Sequence, residues 1–303
     1  MKNFNTSYQV QSYKKPVSVR GHLMPTNNFL KVQFQGHDFF FSTITGLHEI
    51  SLKELEHHLH DFFQSLSIEQ LNFHSLNFNQ KYFGLIINED SLHHEVLFAI
   101  EVLLLSLIKN IDINKDLLIN QVYSSQVNVK EYKNTQCLKL KISPKLMKEN
   151  LSVLTSLHRE NPHLIFRLDG NRQFELIDLL EFKHQLDQLP ESSTLIKKID
   201  YFEEPLKNFY ESYLFLKNCP IPIALDESFK SYFRLDQKIP FENSIAVIKP
   251  ALYGISSVYK WMNQNADSRV IISSSYEHPS VLYSLSFLGQ LRPTEFHGLE
   301  NQF

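Results

Sequence analysis

The sequence predicts an α/β chain: a (β/α) barrel preceded by an α+β module. Three observations carry this. First, five charged residues each end a short apolar run: Lys141 (CLKLKIS), Asp169 (LIFRLDGN), Glu203 (IDYFEEP), Asp226 (IPIALDES) and Lys249 (IAVIKP). Second, gaps of 28, 34, 23 and 23 residues separate them. A βα unit takes roughly 30 residues, so each gap holds about one strand and one helix, and each charge falls at a strand's carboxyl end. Third, the first third of the chain lacks this rhythm and reads as extended runs followed by helices.

In order along the chain, residues 4–12 and 29–41 read as strands, with hairpin signals at Pro25-Thr26-Asn27-Asn28 and Gln35-Gly36. Ser51 caps a helix reaching about Leu66, and Glu54 completes a capping box. A second, apolar helix spans about 93–109. After about Ile113 the βαβα rhythm begins. Residues 117–122 are a first strand, and further strands fall near 137–141, 164–169, 199–203, 222–226, 245–249 and 269–273. Helices are expected at 144–158, 174–186, 206–216, 256–264 and 277–287, and residues 295–299 form a degenerate eighth strand. The expected domains are 1–113 and 114–303, with the C-terminal tail able to pack against the first.

Composition narrows the function. A chain of 303 residues with 43% hydrophobic content supports a sizeable core. Net charge of −3 gives no electrostatic reason to expect nucleic acid or an anionic membrane. Cys137 and Cys219 cannot build a disulfide framework and read as reduced thiols. The N-terminus has no apolar signal core, and the most apolar stretch, 96–108, is shorter than a membrane span and contains Glu101. A cytoplasmic protein is expected, with neither nucleic acid nor membrane as partner. Only 8 glycines occur, and neither a GxGxxG nor a P-loop is found.

Strand carboxyl ends form the catalytic rim of such barrels. Asp169, Glu203 and Asp226 are hard oxygen donors on consecutive strands, suited to Mg²⁺, with Mn²⁺ possible, rather than to Zn²⁺. Any one of them alone reads more readily as a helix cap or a rim salt bridge; together, beside lysines, they read as a metal site. Lys139 and Lys141 share a strand face. If Leu140 faces the helices, both lysines point inward, where desolvation and mutual repulsion lower the pKa of Lys141 toward that of a general base. Lys249 stands across the barrel. Arg167 shares the face of Asp169 and could meet a substrate carboxylate or the acid ring. Asn171 either reaches the site or makes a turn. Ser273, Ser274 and Ser275 precede a helix, and their backbone N–H groups offer an anion site or an ordinary cap. Glu204 and Glu227 point away from the ring, and His278 and His297 have no assigned role.

The ordered pieces LKLK (138–141), FRLDGNRQF (166–174), FEEP (202–205), IALDES (223–228), VIKP (247–250) and IISSS (271–275) resemble the enolase superfamily, in its muconate-lactonizing branch. More narrowly, RLDGNR, ALDES, VIKP followed by Leu252-Tyr253-Gly254, and the triple serine resemble the o-succinylbenzoate synthase family. The resemblance implies a modified (β/α)7β TIM-type barrel under an N-terminal α+β capping domain. It also implies Mg²⁺ ligands at Asp169, Glu203 and Asp226, a general base at Lys141, and an opposing lysine at Lys249. The implied reaction is loss of water from a succinyl-hydroxycyclohexadiene carboxylate in menaquinone biosynthesis. The alternatives are an N-acylamino acid racemase of the same branch and, in another class, an inactive barrel that binds partners. Three departures stand out. Residues 40–46 lack the tryptophan and acid of a Gly-Trp-Gly-Glu-like segment, Asn120-Gln121 replaces Asn-Gly, and Tyr276-Glu277-His278 is unusual after the serines.

Overall fold

The computed structural model describes residues 4–19, 22–44, 48–65, 92–106, 117–125, 128–208, 211, 221–234 and 244–301. An antiparallel sheet comes first, with β1 (Phe4–Val19), β2 (His22–Phe34) and β3 (His37–Phe41) in that order. Gln35 and Gly36, with φ of 50° and 84°, make the two-residue turn joining β2 to β3, where primed turns need both central residues at positive φ. The hairpin expected at Pro25 is corrected, because Pro25 lies inside β2. The ladder pairs Ser12 with Thr26, then resumes at Val17 with Met24, so Pro25 falls opposite an irregularity in β1. A proline lacks the N–H that a regular ladder needs, and it is tolerated at such a break.

Two helices pack beside this sheet. In α1 (Leu52–Ser65) the apolar positions Leu55, Leu59 and Phe63 recur on one face and are buried. The expected capping box is present, with Glu54 N donating to Ser51 Oγ and Ser51 N donating to Glu54 Oε2. The second helix, α2 (His94–Leu105), is buried at nearly every position, including Glu101. A helix that is apolar all round must be covered all round; here α1 lies on one side and the barrel on another.

The barrel sheet is parallel and seven-stranded. Its strands are β4 (Gln121–Val122), β5 (Cys137–Lys141), β6 (Ile165–Asp169), β7 (Ile199–Glu203), β8 (Ile223–Leu225), β9 (Ile245–Ile248) and β10 (Arg269–Ile272), hydrogen-bonded in sequence order. Helices α3 (Met147–Glu160), α4 (Leu176–Asp187), α5 (Ser192–Leu195), α6 (Phe229–Arg234), α7 (Ile255–Gln264) and α8 (Pro279–Gly289) lie between or after the strands. Leu138, Leu140, Phe166, Leu168, Phe202 and Ile248 fill the layer between sheet and helices, whereas Tyr201, Ala224, Ile245, Val247 and Ile271 cluster separately inside the barrel. The expected first strand is shorter than 117–122, with Ile119 contributing only an isolated bridge. Most of the expected 206–216 helix, the 113/114 boundary and Cys219 lie outside the described residues.

The tail closes the ring. His297 bridges to Ile119 and Gly298 to Ser273, so residues 297–298 form a stub between the first and last strands. Gly298 N donates to Ile272 O at 2.8 Å and His297 N to Leu118 O at 2.7 Å. His297 is fully buried, and Ile272 N donates to its Nδ1 at 3.0 Å. Nε2 therefore carries the proton and donates to Arg292 O at 3.1 Å. Burial holds its pKa down at about 4, so this histidine is a neutral staple. Lys14 Nζ of β1 donates to Asn301 O at 3.3 Å, which brings the tail against the first sheet.

Glu101 joins the two halves. Its carboxylate accepts from Ser256 N at 3.0 Å and also from Ile255 N and Ser256 Oγ. The two N–H groups are among those left unpaired at the start of α7, so a helix of the first unit caps a helix of the barrel. Gly254, at φ 85°, allows the approach: a Cβ there would sit 2.6 Å from Leu97 Cδ2.

Candidate active site

Register sets the site. Lys141 pairs with Asp169 and Asp169 with Glu203, which places these three residues in one row at the top of β5, β6 and β7. Glu203 pairs with Ala224, so Asp226 lies two residues further along the next strand, on the same face. Leu140 is buried among the sheet–helix residues while Lys139 turns inward. Lys139 Nζ lies 2.7 Å from Glu203 Oε1 and 3.0 Å from Asp169 Oδ2, and Lys249 Nζ is paired with Asp226 Oδ2. The fold thus brings all five strand-end charges, and Lys139, to one mouth. Among the described residues no three acids are already gathered closely enough to cage an ion; Lys139 bridges Asp169 and Glu203, and Lys249 pairs with Asp226.

The electrostatics differ from group to group. Burial raises Glu203 to about 8, and the neighbouring charges of Asp169 and Asp226 add to this against Lys139. Burial also opposes ionisation of Asp169, but Lys139 and Lys141 outweigh it and hold its pKa below the usual range. Lys141 is exposed by surface area, facing the open mouth, yet its pKa is lowered. Enclosure by protein is the largest cause, with Lys139 and Lys249 repelling its charge against the pull of Asp169. For Lys249 the balance reverses: Asp226 and Glu227 overcome burial and keep it an ammonium. Glu203 Oε2 is buried with no hydrogen-bond partner. A buried carboxylate oxygen without a donor is costly, and a hard cation between Asp169, Glu203 and Asp226 would satisfy it. The donor set therefore fits Mg²⁺.

Loops hold the ring in place. Four of the five non-glycine residues with positive φ among the described residues, Asn171, Arg172, Glu204 and Tyr276, leave the carboxyl ends of barrel strands; such strain concentrates at sites. Asn171 N donates to Asp169 Oδ1 at 3.0 Å, so Asn171 makes a turn that orients the acid. Gly170 is required there, because a Cβ would lie 2.6 Å from Pro205 Cα. Glu204 points away from the ring, as expected, and braces the next loop. It accepts from Asp226 N at 2.9 Å, Ser228 N at 2.7 Å and Ser228 Oγ at 2.9 Å.

Burial raises the Glu204 pKa to about 7. The folded state then binds a proton that the unfolded chain, with a carboxyl near 4.5, has released. This contribution is present at low pH and is lost as pH rises from about 4.5 to about 7. Glu204→Gln removes the charge and keeps one carbonyl acceptor, so its urea midpoint relative to the parent is expected to rise between pH 5 and pH 8. A constant difference would contradict the burial effect.

Two expectations are corrected. Arg167 does not reach the rim. Its fully buried guanidinium lies over the Tyr201 ring at 4.7 Å, donates to Asp200 Oδ2 at 3.0 Å and Asn120 Oδ1 at 3.1 Å, and also donates to Phe296 O. The register shifts between Phe166 and Arg167, leaving Asp200 unpaired on β7, and such a bulge re-aims a side chain. Asp200 thereby turns toward Arg167 and Arg269, and with Glu295 these groups form the barrel floor. The amide pocket expected at the serines is also corrected. Ser273 N donates to Ile248 O and Ser274 N to Gly298 O as part of ring closure, and Ser275 N donates to Glu277. Buried Ser275 Oγ has no hydrogen-bond partner. His278 caps α8, with Ser280 N donating to its Nδ1 at 3.2 Å. Sequence reasoning noted Tyr276 and Glu277 only as part of an unusual tripeptide after the serines, and carried no signal for Tyr13.

No family model matches the sequence, and no curated protein matches it. Solved structures do. The structure of o-succinylbenzoate synthase from Thermosynechococcus elongatus BP-1, complexed with Mg in the active site, superposes with a TM-score of 0.68 at 17% identity, covering 98% of this chain and 92% of that one. The chain has the fold of the enolase superfamily. Muconate lactonizing enzyme from Pseudomonas fluorescens, complexed with muconolactone, gives 0.69 at 14% identity over 98% of this chain and 86% of its own. Dipeptide epimerase from Enterococcus faecalis V583, complexed with Mg and L-Leu-L-Tyr, gives 0.67 at 12% identity over 94% and 86%. An enolase-superfamily barrel under an N-terminal capping domain is thus the architecture. Among the described residues no helix is long and apolar enough to cross a membrane.

Proposed function

We propose that the chain is a Mg²⁺-dependent o-succinylbenzoate synthase. It would convert 2-succinyl-6-hydroxy-2,4-cyclohexadiene-1-carboxylate to 2-succinylbenzoate by syn loss of water, in menaquinone biosynthesis in the cytoplasm. The observation that carries the reading is the division between two lysines at one mouth. Lys141 is pushed toward its neutral form, whereas Lys249 is held as an ammonium by Asp226. One is fitted to take a proton and the other to face developing negative charge. The LKLK, VIKP and triple-serine motifs support the narrower choice. So does the likeness in fold to a synthase whose structure holds Mg in its active site.

Asp169, Glu203 and Asp226 would hold the ion. When bound, Mg²⁺ supplies positive charge where the substrate carboxylate gains electron density. Lys141 Nζ takes the proton α to that carboxylate. The electron pair left behind forms the new C=C bond as the neighbouring C–O bond breaks, and Lys141 returns its proton to the departing hydroxyl on the same face, so one water leaves. Lys249 stays charged opposite. Loss of water makes the ring aromatic, which drives the step forward.

A second reading, N-acylamino acid racemase, draws on the same observation, since lysines on two flanks also suit proton removal on one face and return on the other. The test is turnover by purified protein with Mg²⁺ on the cyclohexadiene substrate beside a panel of N-acylamino acids, with and without EDTA. EDTA-sensitive dehydration supports the synthase reading, racemisation alone replaces it with the second, and no turnover of either refutes both.

A further inference from the structure

Tyr276 opens the tripeptide that departs from the family pattern, at the exit of β10 beyond the three serines. Its φ of 67° is in the left-handed region, unfavourable for a residue with a bulky side chain. An outlier of this kind persists when the surroundings hold it. Here the surroundings include the first sheet: the Tyr276 ring meets the Tyr13 ring at 6.0 Å between centroids and 69° between planes, an edge-to-face packing. Tyr13 belongs to β1 and is only 6% exposed. The Tyr276 phenol lies within electrostatic reach of Lys249, Lys139, Asp169 and Asp226. A strained turn past the carboxyl end of β10 thus sets a phenol within electrostatic reach of the acid ring, and a tyrosine of β1 packs against its ring.

We propose that Tyr276 is a substrate-contacting residue that hydrogen-bonds the bound carboxylate compound through its phenol, and that Tyr13 is the positioning residue that holds its ring there. The proposal rests on reading the acid ring as the active site. Lys139 and Lys249 are each committed to ring carboxylates, so an uncharged phenol adds orientation without disturbing that balance.

The test measures binding as well as turnover. Tyr276→Phe keeps the ring and removes only the hydroxyl. If the wild type turns over a member of the panel, this variant is expected to raise KM for it about tenfold, the worth of one hydrogen bond to a charged or polar group. Its kcat should stay within about threefold, and its Mg²⁺ affinity by calorimetry should be unchanged. Tyr13→Leu is expected to raise the same KM, and Tyr13→Phe to restore it. An unchanged KM in Tyr276→Phe, or equal losses in Tyr13→Leu and Tyr13→Phe, overturns the proposal. If the wild type turns over nothing, the proposed reaction fails separately. The tyrosine is then judged by calorimetric titration of 2-succinylbenzoate and benzoate with Mg²⁺. Weaker binding by Tyr276→Phe supports the contact; equal binding, or none by the wild type, overturns it.

Discussion

Lys141→Ala and Lys249→Ala are each expected to lose at least about a thousandfold in turnover, within the range that positioned acid–base groups contribute, while still binding Mg²⁺. The separation follows from where the groups sit. Lys141 lies in the same row as Asp169, with its pKa lowered by enclosure and by its two lysine neighbours. Removing it takes away the proposed proton acceptor and leaves the three carboxylates in place. Lys249 is paired with Asp226. Its loss removes the fixed ammonium and frees a carboxylate oxygen for the ion, so Mg²⁺ affinity should hold or rise. Steady-state kinetics beside Mg²⁺ calorimetry reads both quantities. Turnover within about tenfold of the parent would show, for Lys141→Ala, that this lysine does not take the proton and, for Lys249→Ala, that this ammonium does not stabilise the developing charge.

The second large effect concerns folding. Glu101→Ala should lower stability by about 3 kcal/mol, because it removes a helix cap and leaves buried donors unsatisfied. Three donors at the start of α7 converge on this one carboxylate, and the residue is fully buried. Glu101→Gln keeps one carbonyl acceptor and should lose less. Urea unfolding monitored by Trp261, which lies in α7, measures the difference. A midpoint unchanged in Glu101→Ala would mean that the two units are held by apolar packing alone.

The barrel was legible because five of its seven strands, β5 to β9, are largely buried apolar runs that lead into a charge. CLKLK and IDYFE end where the structure ends β5 and β7. The stub at 297–298 was foreshadowed only by position, since two bridging residues carry no periodic pattern. Pro25 misled because turn propensity is local, whereas the break in β1 that accommodates it lies across the ladder. Arg167 misled in a related way: alternation correctly gave its face, but not whether the side chain runs up to the rim or down to the floor. That was decided by the bulge at Asp200, which no run of residue types signals. Glu101 was visible as a lone acid in an apolar run, yet its partners sit more than 150 residues away at Ile255 and Ser256. Tyr13 and Tyr276 meet only in three dimensions.

The floor has one more implication. Arg167, Asp200, Arg269 and Glu295, with Tyr201 above them, stopper the barrel at the end opposite the lysines. With that end stoppered among the described residues, a molecule that enters past Lys141 leaves by the same doorway. Departure of one guest and arrival of the next then compete for one opening, and a spent product that lingers is expected to act as a competitive inhibitor by standing in it.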